Sequence, residues 1–354
     1  MPPRRRKRID PALFQLPVER IRAGEFSDVY FNRARAVMAA QHKHARVAWQ
    51  VSVKSDGFLG GIDEAVALLR LCSDDFAALE VRALYEGDRV DAWDTVLLVE
   101  GDYAAFAHLE TLILGTLARR TRVCSNIREL VDTARPKPVY YFGARSDHAL
   151  LQPGDGLSAH VGGAASVSTD AQGLFTGKKG VGTVPHAMIA AFGGDTVAAA
   201  LAMVKVLDED VPLVVVVDYK NDSVPTSLAV ARALEGRLWG VRLDTSETMV
   251  DKSIVPQMGT FNPAGVNSQL VWNVRNALDA EDFGEVKIVV SGGLTVDRIR
   301  AFEDDGVPVD AYGVGSSVHD GRWDFTADVV AVNGKPQAKV GRELRDNERM
   351  EKVK

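Results

Sequence analysis

In the second half of the sequence, six short apolar runs each end in residues that can grip or polarise a ligand. They close on Phe142-Gly143-Ala144-Arg145, Gly182-Thr183-Val184-Pro185-His186, Val217-Asp218-Tyr219, Val241-Arg242-Leu243-Asp244-Thr245, Val290-Ser291-Gly292-Gly293-Leu294 and Tyr312-Gly313-Val314-Gly315-Ser316-Ser317. The two glycine-bearing ends leave backbone N–H groups open to a phosphate. Each glycine pair alone is more often a simple turn; two of them, after successive runs, favour a phosphate cradle. Arg242 and Asp244 alternate, so on a strand they face one side. An arginine there can clamp a carboxylate or phosphate through two parallel hydrogen bonds, and an aspartate can accept from ribose hydroxyls. A structural ion pair is the competing account. Asp218 ends a run of four valines and can hold magnesium or stabilise a cationic sugar; otherwise it is a turn or helix-capping residue. His186 follows Gly-Thr-Val-Pro at the start of a helical stretch, which favours a chemical role over the usual structural one. His148 and His160 lie in the segment after Arg145, within reach of the same place.

These ends must be presented by strands. After Arg135, runs at 138–142, 182–184, 213–218, 240–244, 286–291 and 311–314 alternate with helix candidates at 186–191, 195–207, 224–234, 269–280 and 295–304. Strands alternating with helices indicate parallel βα units. Their spacing predicts an irregular parallel α/β barrel, with a doubly wound open sheet as the alternative. In such barrels the active site forms at the C-terminal strand ends, and phosphate sites recur after the last two strands. Earlier residues read differently. A helix is expected over 26–40, capped by Ser27 or Asp28, a strand over 46–53, a helix over 62–71, short strands over 90–93 and 95–100, and a long helix over 103–123. That is an α+β domain with antiparallel strands. The 325–332 run, then Asn333-Gly334, then 337–340, predicts a type I′ hairpin that returns to this first domain. The expected division is a disordered basic tail over 1–20, an α+β domain from 21–125 plus 322–354, and the barrel from 126–321.

A chain of 354 residues can bury its core without disulfide or metal staples. Its formal charge of −6 argues against a nucleic-acid binder, which usually shows a basic face. The one basic run, Arg4 to Arg8, reads as a solvated tail. Cys72 and Cys124 read as free core thiols of a reducing compartment. No apolar run reaches about 18 residues, so no membrane span is expected, and the cytoplasm is the expected location.

Taken in order, Ser27-Asp28-Val29-Tyr30, Phe142 to Arg145, Gly182 to His186, Arg242-Leu243-Asp244, Ile288 to Leu294 and Tyr312 to Ser316 resemble the nicotinate phosphoribosyltransferase family, among the type II phosphoribosyltransferases. The resemblance implies transfer of a phosphoribosyl group from phosphoribosyl pyrophosphate to nicotinate, in NAD biosynthesis. It implies Mg2+ as cofactor, ATP as co-substrate, and a homodimer with shared active sites. Tyr30, from the neighbouring subunit, and Phe142 would sandwich the pyridine ring. Thr183 and Arg242 would contact nicotinate or the sugar, Asp244 the ribose hydroxyls, and Asp218 the region of the magnesium-pyrophosphate and anomeric carbon. Gly292, Gly293, Gly315 and Ser316 would cradle the 5′-phosphate with help from Arg145. His186 matches the histidine that the family phosphorylates with ATP; the magnesium ligands are not identified.

Two departures stand out. Many relatives continue after the aspartate with Ser-Gly-Asp, where this chain has Thr245-Ser246-Glu247, and the C-terminal cysteine cluster of some members is missing. Among neighbours, a nicotinamide enzyme would place an aspartate near the amide, where this chain has Ser166 or Ser168. A quinolinate enzyme would bring an arginine-lysine-threonine signature, which is not found. A catalytically silent ligand-binding relative and another phosphosugar barrel enzyme, an isomerase or aldolase, complete the alternatives; the last leaves Tyr30 and His186 without roles.

Overall fold

The computed structural model describes residues 7–259 and 261–353, divided into two compact units, residues 1–125 with 320–354 and residues 126–319. The chain runs through α1 (Val18–Arg22), α2 (Val29–Ala40), β1 (Arg46–Val53), β2 (Gly57–Phe58), α3 (Ile62–Cys72), β3 (Glu80–Ala83), β4 (Arg89–Val90), β5 (Thr95–Asp102) and α4 (Glu110–Ala134). There follow β6 (Val139–Tyr141), α5 (Gln152–Gly162), β7 (Ser166–Val167), α6 (His186–Ala191), α7 (Thr196–Val204), β8 (Leu213–Val216), α8 (Ser223–Leu234), β9 (Leu238–Leu243), α9 (Ser268–Ala280), β10 (Lys287–Val290), α10 (Val296–Asp304) and β11 (Ala311–Val314). The last strands are β12 (Phe325–Val332), β13 (Lys335–Pro336) and β14 (Glu351–Lys352).

In the first unit, six strands form an antiparallel sheet in the order β13-β12-β1-β5-β3-β14. Valine and tryptophan at alternate positions of β1 supply one buried row: Val47, Trp49, Val51 and Val53. The other row carries Gln50, which accepts from the Arg345 N–H at 2.8 Å and donates to the Glu343 carbonyl at 3.2 Å. The C-terminal segment therefore covers this polar row and meets its hydrogen bonds. The apolar face of α3 supplies Ile62, Ala65, Val66 and Leu69 to the same core. As expected, β12 returns after the barrel to pair with β1, and Asn333 and Gly334 both have positive φ (50° and 75°), as a type I′ turn needs. The returning strand is only Lys335–Pro336, shorter and earlier than the 337–340 expected.

Residues 7–20 are not a loose tail. Arg8 pairs with Asp63 at 2.7 Å, donates to the carbonyls of Ala83 and Leu84, and stacks its guanidinium 4.3 Å from the Tyr85 ring centroid. Burying the Arg8 stem this way fixes the segment, which then turns through Pro11–Phe14 into α1. Arg4 to Arg6 of the basic run lie outside the described residues. Cys72 and Cys124 are both buried and form no disulfide among the described residues, and no helix among the described residues is long and apolar enough to cross a membrane.

The second unit is a curled sheet of six parallel strands, ordered β7-β6-β11-β10-β9-β8. Between its two edges runs the segment 181–184, of which 182–184 was expected as a strand. Its Val181 N–H reaches the Val167 carbonyl of β7 at 2.8 Å, and its Val184 N–H reaches the Val214 carbonyl of β8 at 3.0 Å. One bond to each edge makes it a seam that nearly closes the barrel rather than a seventh strand. The helices α6 to α10 fall where the periodicity placed them.

Candidate active site

The glycine-rich ends of β10 and β11 form a small polar cavity of about 170 Å³, lined by Arg145, Gly292, Gly293, Gly315, Ser316 and Ser317 among others. Gly292 and Gly293 both sit at positive φ (85° and 59°). Arg298, from α10, takes the carbonyls of Gly292 and Gly293 at 2.7 and 2.8 Å and that of Val266 at 3.0 Å. Glu247 pairs with the same guanidinium at 3.1 Å. Among the described residues no protein acceptor takes the N–H of Gly293 or Gly315. With the turn's carbonyls held from behind, its donors are left for an anion. The departure from Ser-Gly-Asp thus has a place: Glu247 braces the turn through Arg298. Sequence marked Glu247 only as a departure and Arg298 not at all; their pairing was not legible because they meet across 51 residues.

Strand β9 brings Arg242 and Asp244 to one side, as their alternation requires. Arg242 Nη2 lies 2.8 Å from Asp244 Oδ1, and its Nε donates to Ser291 Oγ at 2.7 Å. Ser291 Oγ is also 2.7 Å from Asp244 Oδ1, closing a three-residue cluster. The guanidinium carbon stands 5.5 Å from the Phe142 ring centroid, a cation–π distance. Phe142 is fixed by its N–H to the Val314 carbonyl at 2.7 Å, and the bare Cα of Gly313 makes room for its ring: a Cβ there would fall 2.5 Å from Phe142 Cε2. Ser291 stood within a strand-end motif, but its bonds to Arg242 and Asp244 were not legible in the sequence.

His186, first residue of α6, donates from Nε2 to Asp218 Oδ1 at 2.9 Å. Asp218 is almost fully buried and His186 is half exposed. Burial pushes the Asp218 carboxyl above its usual range; His186 opposes that rise, and Asp244 adds to it. Phe142, Arg145, Ser168, Thr183, His186, Arg242 and Asp244 share the lining of a larger cavity of about 560 Å³. Phe142 and Thr183 also border an apolar cavity of about 420 Å³, walled by Tyr140, Trp239, Val214 and Val289.

The structure therefore gathers Phe142, Arg145, Thr183, His186, Arg242, Asp244, Gly292, Gly293, Gly315 and Ser316 around two adjoining cavities that share Phe142, Arg145, Arg242 and Asp244, with Asp218 joined to them through His186. Tyr30 belongs to the other unit, where its ring is 61% exposed beside Phe31. His148 and His160 do not join the site. His148 Nδ1 accepts the Leu150 N–H to start a turn, and His160 sits on the last turn of α5; neither lines a cavity with the others.

Two family models match this chain: the quinolinate phosphoribosyl transferase N-terminal domain over residues 28–121 and its C-terminal domain over residues 123–326. Nicotinate phosphoribosyltransferase pncB1 of Mycobacterium tuberculosis is 30% identical over 266 residues, 72% of this chain and 54% of that relative, so the chain spans about half the length of the curated relatives it matches. A crystal structure of nicotinate-nucleotide pyrophosphorylase from Pyrococcus furiosus superposes with a TM-score of 0.79 at 33% identity, covering 93% of this chain and 80% of that one. Human nicotinic acid phosphoribosyltransferase shares the fold, with a TM-score of 0.67 at 18% identity over 90% of this chain and 77% of that one. The chain belongs to the family of nicotinate and quinolinate phosphoribosyltransferases, the type II phosphoribosyltransferases.

Proposed function

We propose that this chain joins nicotinate to the ribosyl carbon of phosphoribosyl pyrophosphate, giving nicotinate mononucleotide and pyrophosphate. The observation that carries the reading is the Arg242–Asp244–Ser291 cluster, set beside the Phe142 ring and opening onto the glycine-lined phosphate cavity. The 5′-phosphate would sit on the Gly292-Gly293 and Gly315-Ser316 loops with Arg145. The pyridine would stack on Phe142, with Tyr30 of a second copy on its other face. Thr183 and Arg242 would bind the nicotinate carboxylate or the sugar.

The C1′–O bond to pyrophosphate breaks as the C1′–N bond forms, and the sugar passes through a cationic state. Asp218 and Asp244 stabilise that charge, and Asp244 also accepts from the ribose hydroxyls. The pyridine nitrogen already holds a lone pair, so no general base is required. Among the described residues no three acidic, histidine or cysteine side chains gather as a cation cage, and Asp218 and Asp244 are already engaged by His186 and Arg242. A magnesium ion would arrive as part of the magnesium–pyrophosphate substrate, held largely by its phosphate oxygens. ATP coupling would run through His186. Its Nε2 proton is held by Asp218, which leaves the Nδ1 lone pair as the phosphoryl acceptor.

Acid is favoured over amide because Ser168 lines the acceptor cavity at a position where an amide enzyme would be expected to place an aspartate. Quinolinate is the second reading, favoured by the family model's description. The second carboxylate would ask for more cationic charge than Arg145 and Arg242. Steady-state assays with nicotinate, nicotinamide and quinolinate, each with phosphoribosyl pyrophosphate, decide among them. Turnover of nicotinamide or quinolinate but not nicotinate would overturn the substrate assignment. Tight binding of phosphoribosyl pyrophosphate with no product from any acceptor would point to a silent relative.

A further inference from the structure

Asp251 is fully buried and lines none of the site cavities. Its carboxylate accepts four hydrogen bonds: from Ser223 N–H at 2.9 Å and Ser223 Oγ at 2.7 Å, and from Ser253 N–H at 2.9 Å and Ser253 Oγ at 2.8 Å. A carboxylate has about four acceptor sites, so this one is saturated and its burial is compensated. An amide would offer one oxygen and turn an NH2 towards donors.

The two serines belong to different loops. Ser223 opens α8 at the end of the loop that begins with Asp218, whose carbonyl takes the Asn221 N–H at 2.8 Å. Ser253 lies within the loop that begins with Asp244 and runs to α9. A second pair of contacts repeats the link: the Lys252 N–H reaches the Asn221 carbonyl at 2.8 Å, and Lys252 Nζ reaches Asp222 at 3.2 Å. The loops after β8 and β9 are thus tied to each other behind the site.

We propose that Asp251 is a positioning residue, fixing the register of the Asp218 loop against the Asp244 loop and so the spacing of these two carboxylates at the site. This rests on the phosphoribosyl-transfer reading above. The two carboxylates already sense one another, since Asp244 helps to raise Asp218. A carboxylate pair stabilises a developing cation only where the charge develops, so a small change of spacing acts on the chemical step rather than on acceptor binding.

The test compares wild type with Asp251→Asn and Ser253→Ala, each checked by circular dichroism. Asp251→Asn is expected to lower kcat about tenfold or more while the nicotinate KM stays within about twofold. Its acidic limb in the kcat profile should move to lower pH, as Asp218 loses its buried setting. Ser253→Ala should move both in the same direction by less. Amide hydrogen exchange should quicken together in residues 218–223 and 245–253. A folded Asp251→Asn variant with wild-type kcat and pH profile overturns the proposal, as does a change confined to the nicotinate KM. If Asp251→Asn does not fold, an unchanged Ser253→Ala overturns it. If wild type itself transfers to no pyridine acid, the functional reading has failed, and exchange decides the loop coupling separately: independent exchange in the two segments overturns it.

Discussion

Asp218 accepts a hydrogen bond from His186 Nε2 at 2.9 Å, and the bond joins the end of one barrel strand to the first residue of the helix that follows the seam. The carboxylate is buried and the imidazole half exposed. Such a pair fixes the ring's tautomer and keeps its free nitrogen towards the cavity. His186→Ala is expected to abolish stimulation by ATP while basal phosphoribosyl transfer survives. Initial rates with and without ATP check this; equal stimulation in the variant excludes the phosphohistidine role.

Arg242 uses Nε on Ser291 and Nη2 on Asp244. A lysine offers a point charge in place of that fork and cannot reproduce both bonds. Arg242→Lys should therefore raise the nicotinate KM by about ten- to a hundredfold, from the worth of a charge-assisted bond. The measurement is a full KM series for both substrates. A KM rise limited to phosphoribosyl pyrophosphate would place Arg242 on the sugar instead.

Gly313→Ala puts a methyl group 2.5 Å from Phe142 Cε2. The ring must give way, because the Phe142 backbone is held by Val314. We expect a nicotinate KM raised about tenfold through displacement of the ring, with a stability loss of roughly 1–3 kcal/mol from overpacking. An unaltered KM in a correctly folded variant would show that Phe142 does not stack on the acceptor.

Stability should fall as pH rises, for a reason remote from the site. Glu86 accepts the N–H groups of Gly61 and Asp63, and burial, followed by the Asp63 charge, pushes its carboxyl up to about 8. Burial likewise raises Glu110, bonded to Trp49 Nε1, to about 7. Both values lie above the ordinary 4.5, so the folded state takes up protons. Their stabilisation is complete below that value and is lost as pH climbs through 7 and 8. At about 1.4 kcal/mol per pKa unit the swing is on the order of a few kcal/mol. Thermal unfolding across that window should show a falling Tm in wild type and a flatter one in Glu86→Gln. A slope identical in both would locate the titration elsewhere.

Much of this was legible because period and punctuation agreed. The limits of β1, β11 and α6 coincide with those read from residues 46–53, 311–314 and 186–191. The strand-end inventory, too, found most of the residues lining the two cavities. Where reading failed, tertiary contacts had overruled local preference. Helix α5 has the sequence Gln-Pro-Gly-Asp-Gly-Leu-Ser-Ala-His-Val-Gly, with three glycines that argue against a helix. Gly156 is there because the Gln172 backbone packs on it, leaving no space for a Cβ. Strand β3 has four residues, of which only Val81 and Ala83 are apolar, too short a pattern to register. The segment 182–184 looked like a strand because Val184 is buried in the seam, yet it meets β8 only through the isolated Val184–Val215 bridge. Ser291 and Glu247 stood in segments the sequence reading had picked out, but their partners are distant in sequence and so their roles were not legible; no local pattern marks Arg298.

The antiparallel sheet is assembled from two ends of the chain. Strand β1 lies between β5 and β12, and residues 126–319 separate β5 from β12 in the sequence. During synthesis, then, β1 emerges early and holds an open edge, with unpaired N–H and C=O groups, for the whole time the barrel is being made. The ribosome must deliver all of residues 126–319 before that edge is closed. The barrel can fold as soon as it has left the exit tunnel, while the unit encoded first is finished last. The arrival of residues 325–332 therefore converts an open, aggregation-prone edge into a paired one.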